Sequence, residues 1–320
     1  MKIDRRAAVL GLGALALGIS THAADNDFPN HPVRIVVPFP AGSSPDMAAR
    51  HVARVLGDTW KQPVLVDNKP GADSLIGTQD VIRSKPDGHT ILLTISQVLT
   101  NPLLRRTANY DMFAHLRSVT GISTASFFLA VPASSPATNL KQYLDVAKQR
   151  DVSFGTLGPG WSGDMSMVAL ERQAGVQLRR IPYKGTNEIV IALGRGDIDS
   201  ALLPYNTAQS GADKIRLIGT MGRERFKLLP AIATFDESGV TGLARPSWLG
   251  LFAPARTPND VVQKISRDVN AALRNTEVTQ YFDSVAFAPF ITTPEEFDLF
   301  VRDDYRFYGA IVKTNNIKLD

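Results

Sequence analysis

The chain has 320 residues, 35 lysines and arginines against 31 aspartates and glutamates, a formal charge of +4, and no cysteine. This near balance, without a dense basic run or an aromatic-interleaved basic face, argues against a nucleic-acid partner. The absence of cysteine excludes disulfides, thiolate metal sites, cysteine nucleophiles and lipidation at a signal-peptide cysteine.

Residues 1–23 read as an export signal. Lys2, Arg5 and Arg6 precede an apolar stretch from Ala7 to Ile19, and Thr21-His22-Ala23 offers small-residue cleavage after about Ala23. That stretch is too short to span a bilayer as a stable helix. The Arg5-Arg6 pair leaves the general and twin-arginine export routes both open. The remainder keeps 32 basic and 30 acidic residues and is long enough for two domains of ordinary size. Its histidines lack ligand spacing; His51 and His89 read as surface or half-buried fillers, and no metal is expected.

The first strand holds Val33, Ile35, Val36 and Val37. It breaks at Pro38 and Pro40, loosens at Ala41-Gly42-Ser43 and opens a helix over about Pro45–Trp60, with Met47, Val52, Val55, Leu56 and Trp60 on one stripe. Ser44 suits the N-cap, Pro45 the first helical position, and Asp46 the positive helix end. A strand feeding small residues at a helix N-terminus is either an ordinary strand-to-helix turn or an anion pocket of free N–H groups and hydroxyls. Val64 to Val66 is a short strand, and Asn68-Lys69-Pro70-Gly71 fits a type II turn. A short helix over about 74–84 ends at the Pro86-Asp87-Gly88 turn; Thr90 to Ile95 is a buried strand with Ser96 at its carboxyl end. After an irregular piece come a strand at Phe127 to Val131 and a helix at about Asn139 to Gln149.

The pattern then recurs. Strand Val152 to Thr156 enters a loop from Leu157 to Gly163 that is rich in glycine, and a helix follows over Asp164 to Ala174, stopped by Gly175. Strand Leu178 to Tyr183 meets a Lys184-Gly185-Thr186 loop and a helix at Asn187 to Leu193. Strands at Ile198 to Leu203, Ile215 to Thr220 and Trp248 to Ala253 follow, with a long helix at Pro258 to Asn275 and a last one from Pro294. Alternating strands and helices argue for parallel sheets covered on both faces, with ligands beyond the carboxyl ends of the strands. Two glycine-rich loops facing one cleft suit a small dianion, or a carboxylate with a polar tail, without lysine or arginine.

Several pieces then fall into one family's order. They are Pro32-Val33-Arg34-Ile35-Val36-Val37-Pro38-Phe39-Pro40 with Gly42, Ser44 and Asp46; Asn68-Lys69-Pro70-Gly71-Ala72 with Ile76-Gly77; Pro86-Asp87-Gly88; and Asn101-Pro102. Gly158 and Gly160, Pro182-Tyr183-Lys184-Gly185, Gly196-Asp197-Ile198-Asp199, Ser247-Trp248 and Leu251-Phe252-Ala253-Pro254 continue it. The chain thereby resembles, from end to end of its mature part, the periplasmic receptors of tripartite tricarboxylate transporters, also called Bordetella-uptake-gene (Bug) proteins.

The resemblance implies an α/β, two-lobed periplasmic-binding-protein (flytrap) fold, each lobe a mostly parallel sheet flanked by helices. Residues 24–123 plus 249–320 would form one lobe and 124–248 the other, with crossovers near Thr120–Ser126 and Arg245–Leu249. It implies a periplasmic receptor, without cofactor, that captures a small carboxylate and delivers it to membrane transporter subunits. The expected contacts are Phe39, Ala41, Gly42, Ser44 and Asp46 in the first loop and Thr156, Gly158, Gly160 and Ser162 in the second. Ser96 and Tyr183-Lys184-Gly185 would complete the cleft.

The departures from the family pattern carry their own expectations. Ala41, Ser43 and Pro45 replace the usual Pro, Gly and Thr, so Ser43 adds a hydroxyl at the anion while Pro45 removes one together with a backbone donor. Trp161 stands where a small hydroxyl residue is usual. It either stacks on a flat ligand, worth about 0.5–1.5 kcal/mol beyond its area and favouring an aromatic or bulky carboxylate, or packs against the other lobe. Asp164, where His is usual, reads as a helix N-cap rather than an ammonium partner. A sensor that hands its closed form to a signalling membrane protein would use the same closure. A secreted serine hydrolase fits poorly. Gly160-Trp161-Ser162-Gly163-Asp164 lacks the last glycine of a nucleophile elbow, its strand ends too far upstream, and no histidine follows in the second-half segments. No enzyme is expected.

Overall fold

The computed structural model describes residues 28–315 and 317; the expected export signal lies outside them. Among the described residues no helix is long and apolar enough to cross a membrane.

The chain opens with β1 (Val33–Val37), α1 (Ser44–Trp60), β2 (Val64–Asn68), α2 (Leu75–Ile82), β3 (Thr90–Thr94), α3 (Gln97–Leu104), α4 (Met112–His115) and β4 (Leu116–Ala125). A middle run holds β5 (Phe127–Pro132), α5 (Leu140–Gln149), β6 (Val152–Thr156), α6 (Ser162–Ala174), β7 (Leu178–Pro182), α7 (Thr186–Arg195), β8 (Ser200–Pro204), α8 (Tyr205–Gln209) and β9 (Ile215–Thr220). The last run is β10 (Ser247–Pro254), α9 (Asn259–Ala272), α10 (Thr276–Ser284), β11 (Ala288–Pro289) and α11 (Pro294–Asn315). One sheet runs β11-β4-β10-β3-β1-β2 and the other β7-β6-β8-β5-β9.

The result is the expected two-lobed α/β fold, with both sheets mixed. The triplets β2-β1-β3 and β7-β6-β8 are parallel. By contrast β10 runs antiparallel to β3 and β4, and β5 antiparallel to β8 and β9. The antiparallel pairs gather around the strands where the chain passes between sheets, because there no crossover helix imposes a direction.

Two stretches correct the reading of the sequence. The piece between Ser96 and Phe127 is not irregular: it holds α3, α4 and the ten-residue β4. Its buried Ser118 and Thr120 are paired, Ser118 Oγ donating to Asp298 Oδ1 at 3.3 Å, Thr120 Oγ1 donating to the Thr292 carbonyl at 2.9 Å and Thr292 Oγ1 accepting the Gly121 N–H at 2.9 Å. The long helix ends at Ala272, and Asn275 caps α10 by accepting the Glu277 N–H at 2.9 Å.

The inner strands β1, β3, β6 and β8 are buried on both faces, which is why they read as apolar runs, while the edge strands β2 and β7 are more exposed. Val33, Ile35 and Val37 pack with Val52 and Leu56 of α1 and Ile265 of α9, while Val36 faces Leu92, Phe252 and Phe297. In the second sheet Phe127 and Phe154 meet Leu140 and Leu170, and Ala130 and Leu203 meet Ile189 and Leu193 of α7. α11 joins the two bodies: Phe297 and Val301 lie on the first sheet, and Tyr308 and Ile311 pack on Met165 and Val168 of α6.

Candidate functional site

The loops beyond the carboxyl ends of the parallel strands meet at a cavity of about 130 Å³. Ser44 and Pro45 begin α1, Trp161 precedes α6 and Thr186 begins α7; Asn206 and Thr207 reach it from α8. Ser123 and Ala125 of β4 and Trp248 of β10 close the wall with Ile95 and Phe287. Trp248 is pinned from behind, its Nε1–H donating to Asp304 Oδ2 at 2.8 Å. Burial pushes the Asp304 carboxyl up to about 6. The two lobes touch across the cleft. Thr100 Oγ1 donates to the Gly160 carbonyl at 2.7 Å, and Asn206 Nδ2 lies 3.5 Å from Ser44 Oγ. The other Asn206 amide atom, Oδ1, is buried without a partner.

The first loop is largely closed on itself. Ser43, not Ser44, is the N-cap of α1, and its hydroxyl makes no capping bond and is buried without a partner. Asp46 is 1% exposed; its Oδ2 accepts the Gly42 N–H at 2.8 Å and Arg50 Nε at 3.0 Å, and its Oδ1 accepts Asn68 Nδ2 at 2.9 Å. Burial pushes the carboxyl up, but Arg50, the Gly42 N–H and Asn68 outweigh it and hold it below the usual carboxylate range. The Ser43 N–H is also taken, by the Pro40 carbonyl at 3.2 Å. The backbone donors of Gly42 and Ser43 are therefore spent internally, whereas the Ser43 hydroxyl, the donor expected from the sequence, is buried without a partner. The N–H groups of Ser44 and Asp46, in the first turn, have no helical acceptor. Phe39 is half-buried, and Ala41 and Gly42 are exposed at the rim.

The second loop is held differently. Thr156 is buried: its Oγ1 accepts the Gly158 N–H at 3.0 Å and its carbonyl the Tyr183 N–H at 2.8 Å. Gly160, at φ 95°, presses against the first lobe, where a Cβ would meet Leu104 Cδ1 at 3.0 Å. Trp161 is the N-cap residue of α6, so Asp164 is not; it sits in the first turn, 1% exposed. Its Oδ1 has no hydrogen-bond partner, although Arg180 Nε approaches to 3.4 Å. Burial therefore dominates over Arg180 and leaves the Asp164 carboxyl raised. The first-turn N–H groups of Ser162, Gly163 and Asp164 are free of helical acceptors. Trp161 is 6% exposed and packs inside its own lobe, edge-on to Phe127 with centroids 5.7 Å apart. Its ring lies over Gly163, whose missing side chain makes room: a Cβ there would fall 2.4 Å from the indole.

Of the residues expected from the sequence, Ser44 and Trp161 line the cavity. Ser96 and Ser162 are buried behind it, flanking the hydroxyl of the fully buried Tyr308. Tyr183 is half-buried on the α7 side, Lys184 is exposed, and Gly185 is the N-cap residue of α7, which delivers Thr186 instead. Asn206, Thr207, Ser123 and Phe287 were not foreseen; they come from separate segments that nothing local marks.

All four described histidines lie on the first lobe, and each is occupied away from Ser162. His51 stacks on Tyr281, His31 on His89, and His115 Nδ1 lies 2.9 Å from the Asp111 carbonyl. Among the described residues Ser162 thus has no histidine base. One group that could hold a metal, His31, Asp87 and His89, lies outside the cleft.

A family model described as "Tripartite tricarboxylate transporter family receptor" matches residues 48–317. Protein BugT of Bordetella pertussis is 27% identical, covering 100% of both chains. Two solved structures superpose with a TM-score of 0.81: a periplasmic transporter, 30% identical over 92% of this chain and 100% of its own, and an R. palustris protein with adipate, 26% identical over 91% and 99%.

Proposed function

Because the chain belongs to the tripartite tricarboxylate transporter receptor family, we propose that it captures a small carboxylate between two lobes in the periplasm and delivers it to the family's membrane subunits. The observation that carries this reading is the meeting of the starts of α1, α6 and α7 at one cavity walled by both sheets. Helix starts supply N–H donors and positive potential to an anion without a formal cation. The cavity, about 130 Å³, favours a compact acyclic acid, and the tucked Trp161 offers no open face for a flat one. Adipate, bound by the R. palustris relative, supports a dicarboxylate. The unpaired Asn206 Oδ1 suits a hydroxyl or protonated group on the ligand.

Residues 24–123 with 249–320, and 124–248, act as the moving lobes, and the Thr100–Gly160 and Asn206–Ser44 contacts part on opening. A ligand touching both sides favours closure by its differential affinity. The test is thermal unfolding of the mature protein with a panel of C4–C6 mono- and dicarboxylates, followed by calorimetry. A bound acid at about 100 times its Kd stabilises by about 2.7 kcal/mol. If no acid of the panel raises the midpoint, and native mass spectrometry finds no acid retained from the cell, the reading fails.

A further inference from the structure

A second set of donor atoms sits at the opposite end of the same strands. His31 lies just before β1 and His89 immediately before β3. These strands are parallel neighbours, Arg34 beside Thr90, with the Arg34 N–H donating to the His89 carbonyl at 2.8 Å. Register therefore brings the two histidines together at the amino ends, a strand length of roughly 16 Å from the cleft loops. Their rings stack with centroids 3.5 Å apart and planes at 19°.

Asp87 is the third member. Its Oδ1 accepts the His89 N–H at 2.9 Å and lies 3.4 Å from His89 Nδ1. Gly88, at φ 88°, makes the turn between them, and a Cβ there would strike Val261 at 2.4 Å, so the spacing is fixed. One donor atom from each of the three residues lies within 4.8 Å of the others. His89 is 9% exposed, and neither of its ring nitrogens has a hydrogen-bond partner. Phe28, edge-on at 4.9 Å, holds the ring by packing alone. A buried imidazole in that state has given up water without a replacement.

We propose that His31, Asp87 and His89 form a divalent-cation site separate from the carboxylate cleft, with water as the fourth ligand. Two imidazoles and one carboxylate suit Zn²⁺; Mg²⁺ and Ca²⁺ require oxygen donors throughout. Donor atoms in a tetrahedral zinc site stand about 3.4 Å apart at bond lengths near 2.1 Å, and an imidazole ligates in its own plane, so with the two rings stacked at 19° one of them must swing out of the stack to turn its lone pair on the ion. The exposed His31 supplies that movement. Its Nδ1 lies 3.3 Å from the Pro32 carbonyl; an Nδ1–H donated there leaves Nε2 as the lone pair. The ion would tie the segment before β1 to the start of β3.

The experiment is calorimetric titration of the tag-free mature protein, stripped with EDTA, with ZnCl₂. One equivalent is expected, with a Zn²⁺-dependent rise in the unfolding midpoint that Mg²⁺ does not reproduce. His31→Ala and Asp87→Asn should each weaken Zn²⁺ at least about tenfold while keeping the circular dichroism of the parent. His89→Ala removes packing on Phe28, so the two more exposed positions carry the test. No saturable single equivalent, or undiminished affinity in either variant, overturns the site. Carboxylate binding, measured in parallel, should be the same with and without zinc.

Discussion

Helices α1 and α6 both follow a positive-φ glycine, begin with a serine and carry an aspartate as their third residue: Gly42 to Asp46 in one lobe, Gly160 to Asp164 in the other. Both aspartates are 1% exposed, yet one carboxyl is held below its ordinary range and the other above it. The residue one turn on explains the contrast. Arg50 follows Asp46 at i+4 and donates to it, whereas Val168 stands at the same place after Asp164 and Arg180 approaches from β7 without a hydrogen bond to Oδ1. The first loop thus spends its carboxylate on the Gly42 N–H, Arg50 and Asn68, while the second keeps its carboxylate short of partners; the first-turn N–H groups lack helical acceptors in both. Like motifs in the two lobes do not make like halves of a pocket.

Replacing both aspartates by asparagine is the strongest way to break this comparison. Asp46→Asn leaves one oxygen for the donors of Gly42, Arg50 and Asn68 and turns an NH₂ toward the rest, so a loss of about 3 kcal/mol is expected in urea unfolding. Asp164→Asn removes a carboxyl already penalised by burial and should change stability by less than about 1 kcal/mol. Equal losses at the two sites would remove the distinction.

A second contrast concerns closure. Gly42 and Gly160 both hold positive φ, so alanine strains either by about 1–2 kcal/mol. At Gly42 no atom stands within 4 Å of the added Cβ, but at Gly160 it meets Leu104 and Thr100 of the opposite lobe. Gly160→Ala should therefore weaken carboxylate binding about tenfold or more, and Gly42→Ala less than about threefold, by calorimetry.

Much of this frame was legible in the chain. The inner strands of both parallel triplets stood out because burial on two faces gives runs such as Val33 to Val37, and the glycine loops announced the helix starts. Strand β4 did not, since its Ser118, Thr120 and Ser123 look solvated until Thr292 arrives from 172 residues away to pair with Thr120. The helix starts were misplaced by a residue or two, because Ser43 and Ser44 are equally good caps on paper and only the extended backbone of Ser43 tells them apart. The cavity wall was the least legible part: Ser123, Asn206 and Phe287 meet only through the sheet order.

The pH dependence sharpens the aspartate contrast on a smaller scale. A carboxyl held low in the folded state stabilises it above the ordinary carboxylate pKa, near 3.9, and that contribution is lost as pH falls through the folded value. Asp46 acts in this sense. A carboxyl held high acts oppositely, its folded form binding more protons, so stability falls as pH rises from about 4 through the folded value. Asp304, pushed up to about 6, and Asp164 both belong here. Between pH 4 and 7 Asp164→Asn should gain on the parent as pH rises, and Asp46→Asn should lose less than the parent below pH 4. Urea unfolding across that range reads both; parallel curves for all three proteins would contradict the assignment.

The smallest effect is expected where the two lobes share one residue. Tyr308 of α11 is fully buried, with Ser96 of the first lobe and Ser162 of the second beside its hydroxyl, yet that hydroxyl has no well-formed hydrogen bond. Burial drives its pKa well above the ordinary phenol value, so it stays a neutral O–H. Removing a polar group that is already unpaired returns its desolvation cost and leaves the ring contacts with Met165 and Val168 in place. Tyr308→Phe should therefore shift stability by less than about 1 kcal/mol and carboxylate affinity by less than about threefold. A loss above about 2 kcal/mol would mean that the hydroxyl binds one of the serines and that α11 ties the two helix starts by a polar bond. A selective loss of affinity at unchanged stability would mean that the bond forms only in the liganded state, making α11 part of the closing device rather than a shared apolar strut.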